Sequence, residues 1–524
     1  MKKYFAYLLA LFVACIFLFV VTHHKLHAQT IIIDQYNSAD RPPRIYPDYT
    51  ETVIPPNIAP LNFMVHEDGS KYCVKIFSGK GDPIEVFSKS EKIIIPVNSW
   101  HKLLDANRGG QLCFDVFVKG QNNHWVRFNT ITNKIAAENI DTFLVYRKIY
   151  PVHSFWQDMG IYQRNLANYD ESILMHSGTF AYGCVNCHSF ADNRPDRMSI
   201  GIRSSKYGSS AILVEDGRAK KVGAKFGYTS WHPSGRLAVF SINKVRQFYH
   251  SVRDEVRDVI DLDSTLAYYL VESKTVSTSP EFSKKDRLET YPAWSADGQH
   301  LYFCSAQMLW SDRNKVPPKR YSEVKYDLMR ISYDLKNDKW GQLETVISSK
   351  DTGMCILLPR TSPDGRWLLF CMCQYGSFPV YQKSSDLYLT DLKTAQQTGQ
   401  FNYRRLDINS DQSESWHTWS SNSRWVVFSS KRKHGIFTRL YFSYVDPTGK
   451  FCKPLLLPQK DPEFYDSYLK TFSVPELITR PVPVTAKKLG RVVRGSRTIL
   501  VDMPLTMATP TAETPYEEPW QERE

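Results

Sequence analysis

The chain has 524 residues, 42% of them hydrophobic and 13% aromatic, with a formal charge of +12. That length is a prior for two or three domains with real cores, and the abundance of Tyr, Phe and Trp leans towards β structure. The basic excess is modest for the size and concentrates at Lys487, Lys488, Arg491, Arg494 and Arg497. It comes with neither a Gly-rich phosphate loop nor a nucleic-acid module, which excludes nucleic acid as the leading partner. A solvated basic tail or contact with anionic membrane lipid fits better. At the N-terminus, Lys2 and Lys3 precede an apolar run, Tyr4–Val21, long for a signal-peptide core and just long enough to span a bilayer. Leu26-His27-Ala28 offers a cleavage site with a poorly fitting Leu, and Cys15 is embedded within the apolar run rather than placed at a lipoprotein junction. Residues 1–29 therefore read as an export signal or a membrane anchor, which places the protein in the periplasm or cell envelope. Residues 30–60, rich in Pro, Asp and Tyr, read as a linker.

From 61 to 150 short β-branched and aromatic runs alternate with polar turns. Examples are Tyr72–Phe77, Lys92–Val97, Leu112–Val118 and Thr142–Tyr146. This pattern predicts a small β-sandwich-like domain. Cys73 and Cys113 sit in two of its strands, either paired or as two buried thiols.

The region 151–197 changes character. Phe155–Leu166 has helix-compatible apolar spacing, and Cys184-Val185-Asn186-Cys187-His188 follows. Cys-x-x-Cys-His is the pattern to which haem is attached in c-type cytochromes. Two thiols at this spacing reach the two vinyl groups on one porphyrin edge, and the next residue offers an imidazole to the iron. The expectation is one covalent haem c on Cys184 and Cys187, with His188 as proximal ligand, carried by a connector between two β domains. Three other readings stay open. Zinc would need two further ligands, and no second Cys-x-x-Cys exists in the chain. A redox dithiol would need a strand-to-helix junction. A structural disulfide or idle thiols make the third.

Beyond Met198 an internal repeat appears. Tyr228–Ser241, Tyr291–Cys304, Leu358–Cys371 and Trp416–Ser429 align without gaps, each as a strand, a tight turn suited to Gly, and a strand ending in Phe plus a small residue. Further strand pairs follow each copy, as in Tyr326–Tyr333, Asp386–Leu392 and Leu440–Asp446. Four strands per unit around an axis predict an all-β fold dominated by a β-propeller over 198–485. Four full units, with half-units at Met198–Val222 and Tyr468–Pro483, give five blades, with six as the alternative. Residues 486–524 read as a flexible tail.

The repeat resembles the Pro-x-Trp-Ser-Pro-Asp-Gly repeat of TolB-like propellers, within the wider WD40-like class. More broadly, Ile54–Phe63, Cys187-His188-Ser189-Phe190 and Leu301–Ala306 resemble exported bacterial proteins in which a Cys-x-x-Cys-His segment precedes a TolB-like propeller. That resemblance implies an architecture and no defined activity. It also implies a His within the stretch matching Met198–Arg203, where this chain has Gly201, and so permits a five-coordinate iron.

Met198 is the leading candidate for a distal iron ligand, ahead of His176, Met175 and His153; against each stands the plainer reading of a core Met or a hydrogen-bonded His. Cys304 and Cys371 hold the repeat position of Ser241 and Ser429, which marks them as small strand residues. His232, His300, His417 and His434 fall in or near repeat turns and are expected mostly at the surface. No Gly-x-Ser-x-Gly elbow is present, so a hydrolase lacks positive support. The leading functional expectation is electron transfer or redox sensing, with a protein partner in the envelope docked on the propeller. The alternative is a non-catalytic interaction scaffold, and a second alternative is a haem-dependent enzyme.

Overall fold

The computed structural model describes residues 33–151, 158–250 and 257–501, the side chain of Cys187 excepted. The expected export segment, His153 and the chain end beyond 501 lie outside the described residues. Among those described, no helix is long and apolar enough to cross a membrane.

Six four-stranded antiparallel sheets form the body. Sheet I comprises Cys184–Ala191, Arg194–Ser204, Gly208–Glu215 and Arg218–Val222. Sheet II comprises Thr229–Trp231, Leu237–Tyr249, Arg257–Leu270 and Thr275–Ser277. Sheet III comprises Arg287–Trp294, His300–Gln307, Asp327–Asp334 and Lys339–Ile347. Sheet IV comprises Cys355–Thr361, Trp367–Cys373, Asp386–Asp391 and Tyr403–Arg405. Sheet V comprises Glu414–Trp419, Trp425–Ser430, Arg439–Tyr444 and Leu455–Leu456. Sheet VI mixes the two ends of the body: Thr471–Ile478 pairs with Phe143–Ile149, followed by Gly160–Asn165 and Glu171–His176. The first-named strand of each sheet touches that of the next, and sheet VI returns to sheet I, so the six close a propeller-like ring.

The repeat accounts for the ring. Phe240, Phe303, Phe370 and Phe428 occupy the second strands of sheets II to V and are fully buried between sheets. The turns that want Gly have it, with Gly235, Gly298 and Gly365 at φ of +67°, +72° and +74°. In the fourth copy Ser423 takes the same conformation at φ +58°.

Three sequence-based boundaries need correction. The segment read as a connector supplies two strands of sheet VI and the first two strands of sheet I. Its Gly160–Asn165 part is strand rather than helix, because pairing with Phe143–Ile149 overrides helical spacing. The tail is ordered at first: Ala486–Arg494 is a helix whose Leu489 and Val493 are buried. The linker also contributes structure, with Tyr49, Ile54 and Ile58 in the core.

The N-terminal part has a seven-stranded and a three-stranded sheet. A helix, Val97–Ala106, starts after Pro96 and buries Trp100, Leu103 and Leu104 on one face. The preceding strand is shorter than the Lys92–Val97 run predicts: it ends at Ile93, and the helix begins directly after Pro96. Cys73 lies opposite Phe117 and Cys113 opposite Phe77. Four residues of strand separate the two cysteines, about 13 Å of rise, too far for a disulfide; both are free thiols. This unit shares its core with sheet V. The Asp141 carboxylate accepts from Ser421 N at 2.8 Å, and Asn62 Nδ2 donates to the Lys460 carbonyl at 2.9 Å.

Candidate functional site

The inner strands of the ring share an irregularity that places the candidate site. In sheet III the pairing passes from Thr290–Cys304 to Ala293–Tyr302, leaving Tyr291 and Pro292 as a bulge. Leu358-Pro359, Trp416-His417 and Val474-Pro475 do the same in sheets IV, V and VI. The first residue of each pair has φ between +45° and +54°. Such a conformation is costly for a residue with a Cβ and persists only where surrounding packing enforces it.

Sheet I has its irregularity between Asn186–Gly201 and His188–Ile200. Cys187-His188-Ser189-Phe190 is therefore another copy of the repeat, and His188 holds the place of Pro292, Pro359, His417 and Pro475. The hairpin after it hides the kinship. It turns through Asp192 and Asn193, at φ +49° and +56°, in place of Pro-Asp-Gly, and Ile200 stands where the other copies have Phe.

The bulges meet at the ring axis. There His188, Thr229, Pro292, Arg360, Trp416 and Val474 border a cavity of about 30 Å³. Aromatic rings close it, with Tyr228 at 4.3 Å from Tyr291 and 5.7 Å from Trp416 between centroids. Beside them run polar bridges between inner strands. Arg360 Nη2 lies 3.1 Å from Glu476 Oε1, and Thr418 Oγ1 donates to Glu476 Oε2 at 3.3 Å. Burial raises the Glu476 carboxyl, opposed by Arg360. Arg147 donates to Asn186 Oδ1, and its Nε to Ser473 Oγ at 3.1 Å.

His188 is buried, and its ring nitrogens make no hydrogen bond of full geometry, although the Val145 and Val474 backbones approach them. Desolvation, followed by the Arg147 charge, pushes its pKa down to about 3, so the imidazole is neutral at physiological pH. Val145 and Val474 backbone groups, which favour the charged form, offset this only partly. His417 is equally buried and its pKa is also about 3, set by desolvation and then Arg360, but its Nε2 has the Leu369 carbonyl at 3.2 Å. The two differ in one respect: the His417 ring completes its hydrogen bond.

Cys184 is half-buried, and its Sγ accepts from Arg203 Nη2 at 3.3 Å. Met198 is buried in the apolar layer between sheets VI and I, paired with Phe190 on the strand beside His188. Gly201 is pinned: an added Cβ would stand 2.6 Å from the Phe226 carbonyl and 2.9 Å from that of Asn186. His176 is engaged through Nε2 with Asp158 at 2.9 Å, and Met175 is core. The expectation that repeat-turn histidines lie mostly at the surface fails for His232 and His417. Both are buried, His232 because it fills the junction of sheets II and III against Trp294.

Tested against a covalent haem, the motif backbone lies on one strand, Cys184–Ala191, and offers a buried imidazole with no hydrogen bond of full geometry. The space beside His188 is that of a closed ring. Ligand pockets offer ~300–1,000 Å³, so a macrocycle there would require the Cys184–Ala191 strand to stand off from its neighbours. Among the described residues no group of three His, Cys, Asp or Glu side chains could hold a metal ion.

Sequence reading missed Arg147, Arg360 and Glu476 at the axis, and Asp261 in sheet II. Aligning Val474-Pro475-Glu476 with Leu358-Pro359-Arg360 would have found the Arg360–Glu476 pair. Asp261 is fully buried, receives Asn243 Nδ2 at 3.0 Å, and desolvation raises its pKa to about 7.

No family model matches the chain, and no curated protein matches it. Among solved structures it is similar to puromycin hydrolase, at 12% identity and a TM-score of 0.34, covering 60% of this chain and 45% of that one. It is also similar to an oligogalacturonate lyase in complex with manganese, at 11% identity and a TM-score of 0.31, covering 73% and 99%. A third likeness is to the Kuenenia stuttgartiensis hydrazine synthase, at 12% identity and a TM-score of 0.29, covering 52% and 65%. The chain thus spans less than half the length of the puromycin hydrolase it matches. TM-scores this low carry no inference about the chain, and the ring rests on its own strand pairing.

Proposed function

We propose that this chain is a c-type haem protein of the bacterial cell envelope, in which the six sheets are blades of a TolB-like β-propeller. Its role is electron transfer or redox sensing with a docked protein partner. The observation that carries this reading is His188: a fully buried imidazole, next after the second motif cysteine, whose ring nitrogens make no hydrogen bond of full geometry and meet only the Val145 and Val474 backbones. An unsatisfied buried polar group costs about 1–3 kcal/mol, and a fold retains one where a ligand or a function answers it.

Cys184 and Cys187 would hold the group through thioether bonds, and His188, kept neutral by burial, would present its lone pair to the iron. A haem so held supplies a one-electron ferric–ferrous couple. Arg147 and Arg360 are the nearest cations to His188 and would favour the form of the site with one more negative charge. Met198, packed in the apolar layer between sheets VI and I, remains the candidate for a second protein ligand.

The test is the protein matured in a host with cytochrome c assembly machinery and run on a denaturing gel. Haem-dependent peroxidase staining should stay with the chain and vanish in Cys184→Ala/Cys187→Ala. A colourless wild type from such a host would reject the reading and leave the scaffold alternative. Carbon monoxide binding by the ferrous wild type, unchanged in Met198→Ala, would support an open coordination position; absence of binding would point to a distal ligand.

A further inference from the structure

The Ala486–Arg494 helix is the C-terminal element of the described fold, and it is sharply two-sided. Leu489 and Val493 are buried against sheets I and VI, while Lys487, Lys488, Arg491 and Arg494 face outward. The helix is pinned at both ends. Thr485 Oγ1 caps it by accepting from Lys488 N at 3.3 Å, and Lys221 Nζ donates to the Val493 carbonyl at 3.1 Å. Arg494 Nη1 donates to the Thr179 carbonyl at 2.7 Å, fixing it to the turn before Tyr182. Exposed Arg497 follows the helix, and the Arg218–Val222 strand it packs on adds exposed Arg218.

Six cations thus share one rigid surface, and none makes an ion pair with a carboxylate among the described residues. Of the neighbouring acids, Glu215 is engaged by Lys220 at 2.7 Å, and Asp216 is exposed at the strand turn. Two exposed apolar side chains flank the surface, Tyr182 at 62% and Leu500 at 85%. An aromatic and an aliphatic group beside unpaired cations suit an interface with charged headgroups above and acyl chains below.

We propose that this helix and the adjoining edge of sheet I dock the protein on a bilayer rich in anionic lipid. Charge complementarity selects that occupant. The cations are spread over a convex helix face with no groove to seat a duplex, and they bracket apolar side chains that a nucleic-acid backbone would leave in water. The inference stands whether or not the chain carries haem.

The experiment uses the full chain in co-sedimentation with vesicles of phosphatidylcholine alone, and with about one-third phosphatidylglycerol. Each exposed cation is expected to contribute roughly fivefold in affinity at low salt. The side chains of Lys487, Arg491, Arg497 and Arg218 make no hydrogen bond among the described residues, so changing all four to Gln should spare the fold, as the unfolding midpoint will show. The wild type should bind anionic vesicles at least a hundredfold more tightly than the variant and come off at 0.5 M salt. Any contribution of the N-terminal apolar segment is common to both proteins and appears on neutral vesicles. Equal binding to neutral and anionic vesicles, or a variant that binds as tightly as the wild type, would overturn the proposal. Tighter binding to duplex DNA than to anionic vesicles in the same buffer would overturn it too.

Discussion

His417 gives the fold a measurable acid sensitivity. Its imidazole is buried in sheet V with a pKa near 3, whereas an unfolded chain holds it near 6.5. The folded value is depressed, so its stabilising contribution is fully present above about pH 6.5 and is lost as pH falls towards 3. Within that window each pH unit removes about 1.4 kcal/mol. Between pH 7 and pH 5 the loss attributable to His417 is therefore ~2 kcal/mol. His417→Gln removes the titration while leaving an amide that can still donate to the Leu369 carbonyl. Chemical-unfolding midpoints of both proteins at pH 7 and pH 5 isolate the effect, since every other titrating group is common to the pair. The wild type should lose ~2 kcal/mol more than the variant over that interval. Equal losses would show that the His417 environment is not dry and that the packing described around it is wrong.

Further outcomes follow from the same geometry. Phe303→Ala should lower stability by about 3–5 kcal/mol in chemical unfolding, and a loss under 1 kcal/mol would mean the ring is not packed between sheets II and III. Asp261→Asn should stabilise the fold, because a carboxyl raised to about 7 loses stability as pH rises through its unfolded value towards 7. The gain should be ~2–3 kcal/mol larger at pH 8 than at pH 5, read from midpoints at both. Asn193 Nδ2 donates to the carbonyls of Trp419 at 2.9 Å and Leu477 at 2.7 Å. Asn193→Gly should keep the turn yet cost about 1–3 kcal/mol through those two unsatisfied carbonyls.

Local pattern revealed what local chemistry builds. The four repeats with Gly turns and terminal Phe residues were readable because each sheet's inner strands are neighbours in sequence. Sheet VI was not, because Thr471–Ile478 pairs with Phe143–Ile149, and no window of sequence contains both. Sheet I escaped for a different reason. Asp192-Asn193 makes the same hairpin without Gly, Ile200 packs without an aromatic ring, and the conspicuous Cys-x-x-Cys-His drew the reading towards a separate connector. The motif residues themselves were found in sequence, whereas their setting on an inner strand depends on a ring that only tertiary pairing reveals. The axis polar groups were invisible for the same reason: Arg360 and Glu476 lie 116 residues apart.

The pairing in sheet VI also sets a schedule for making the protein. A chain emerging from its N-terminus completes sheet V at Leu456, yet the ring cannot close until the Thr471–Ile478 strand follows. The opening left meanwhile lies between sheets V and I, where Cys184 and His188 form one wall. Until the final strand zips against Phe143–Ile149, the His188 imidazole would stay reachable from that opening. After that His188 is buried at the axis. Ring closure would thus act as a one-way door, and a chain truncated before Thr471 should leave His188 open to a histidine-modifying reagent that the full chain resists.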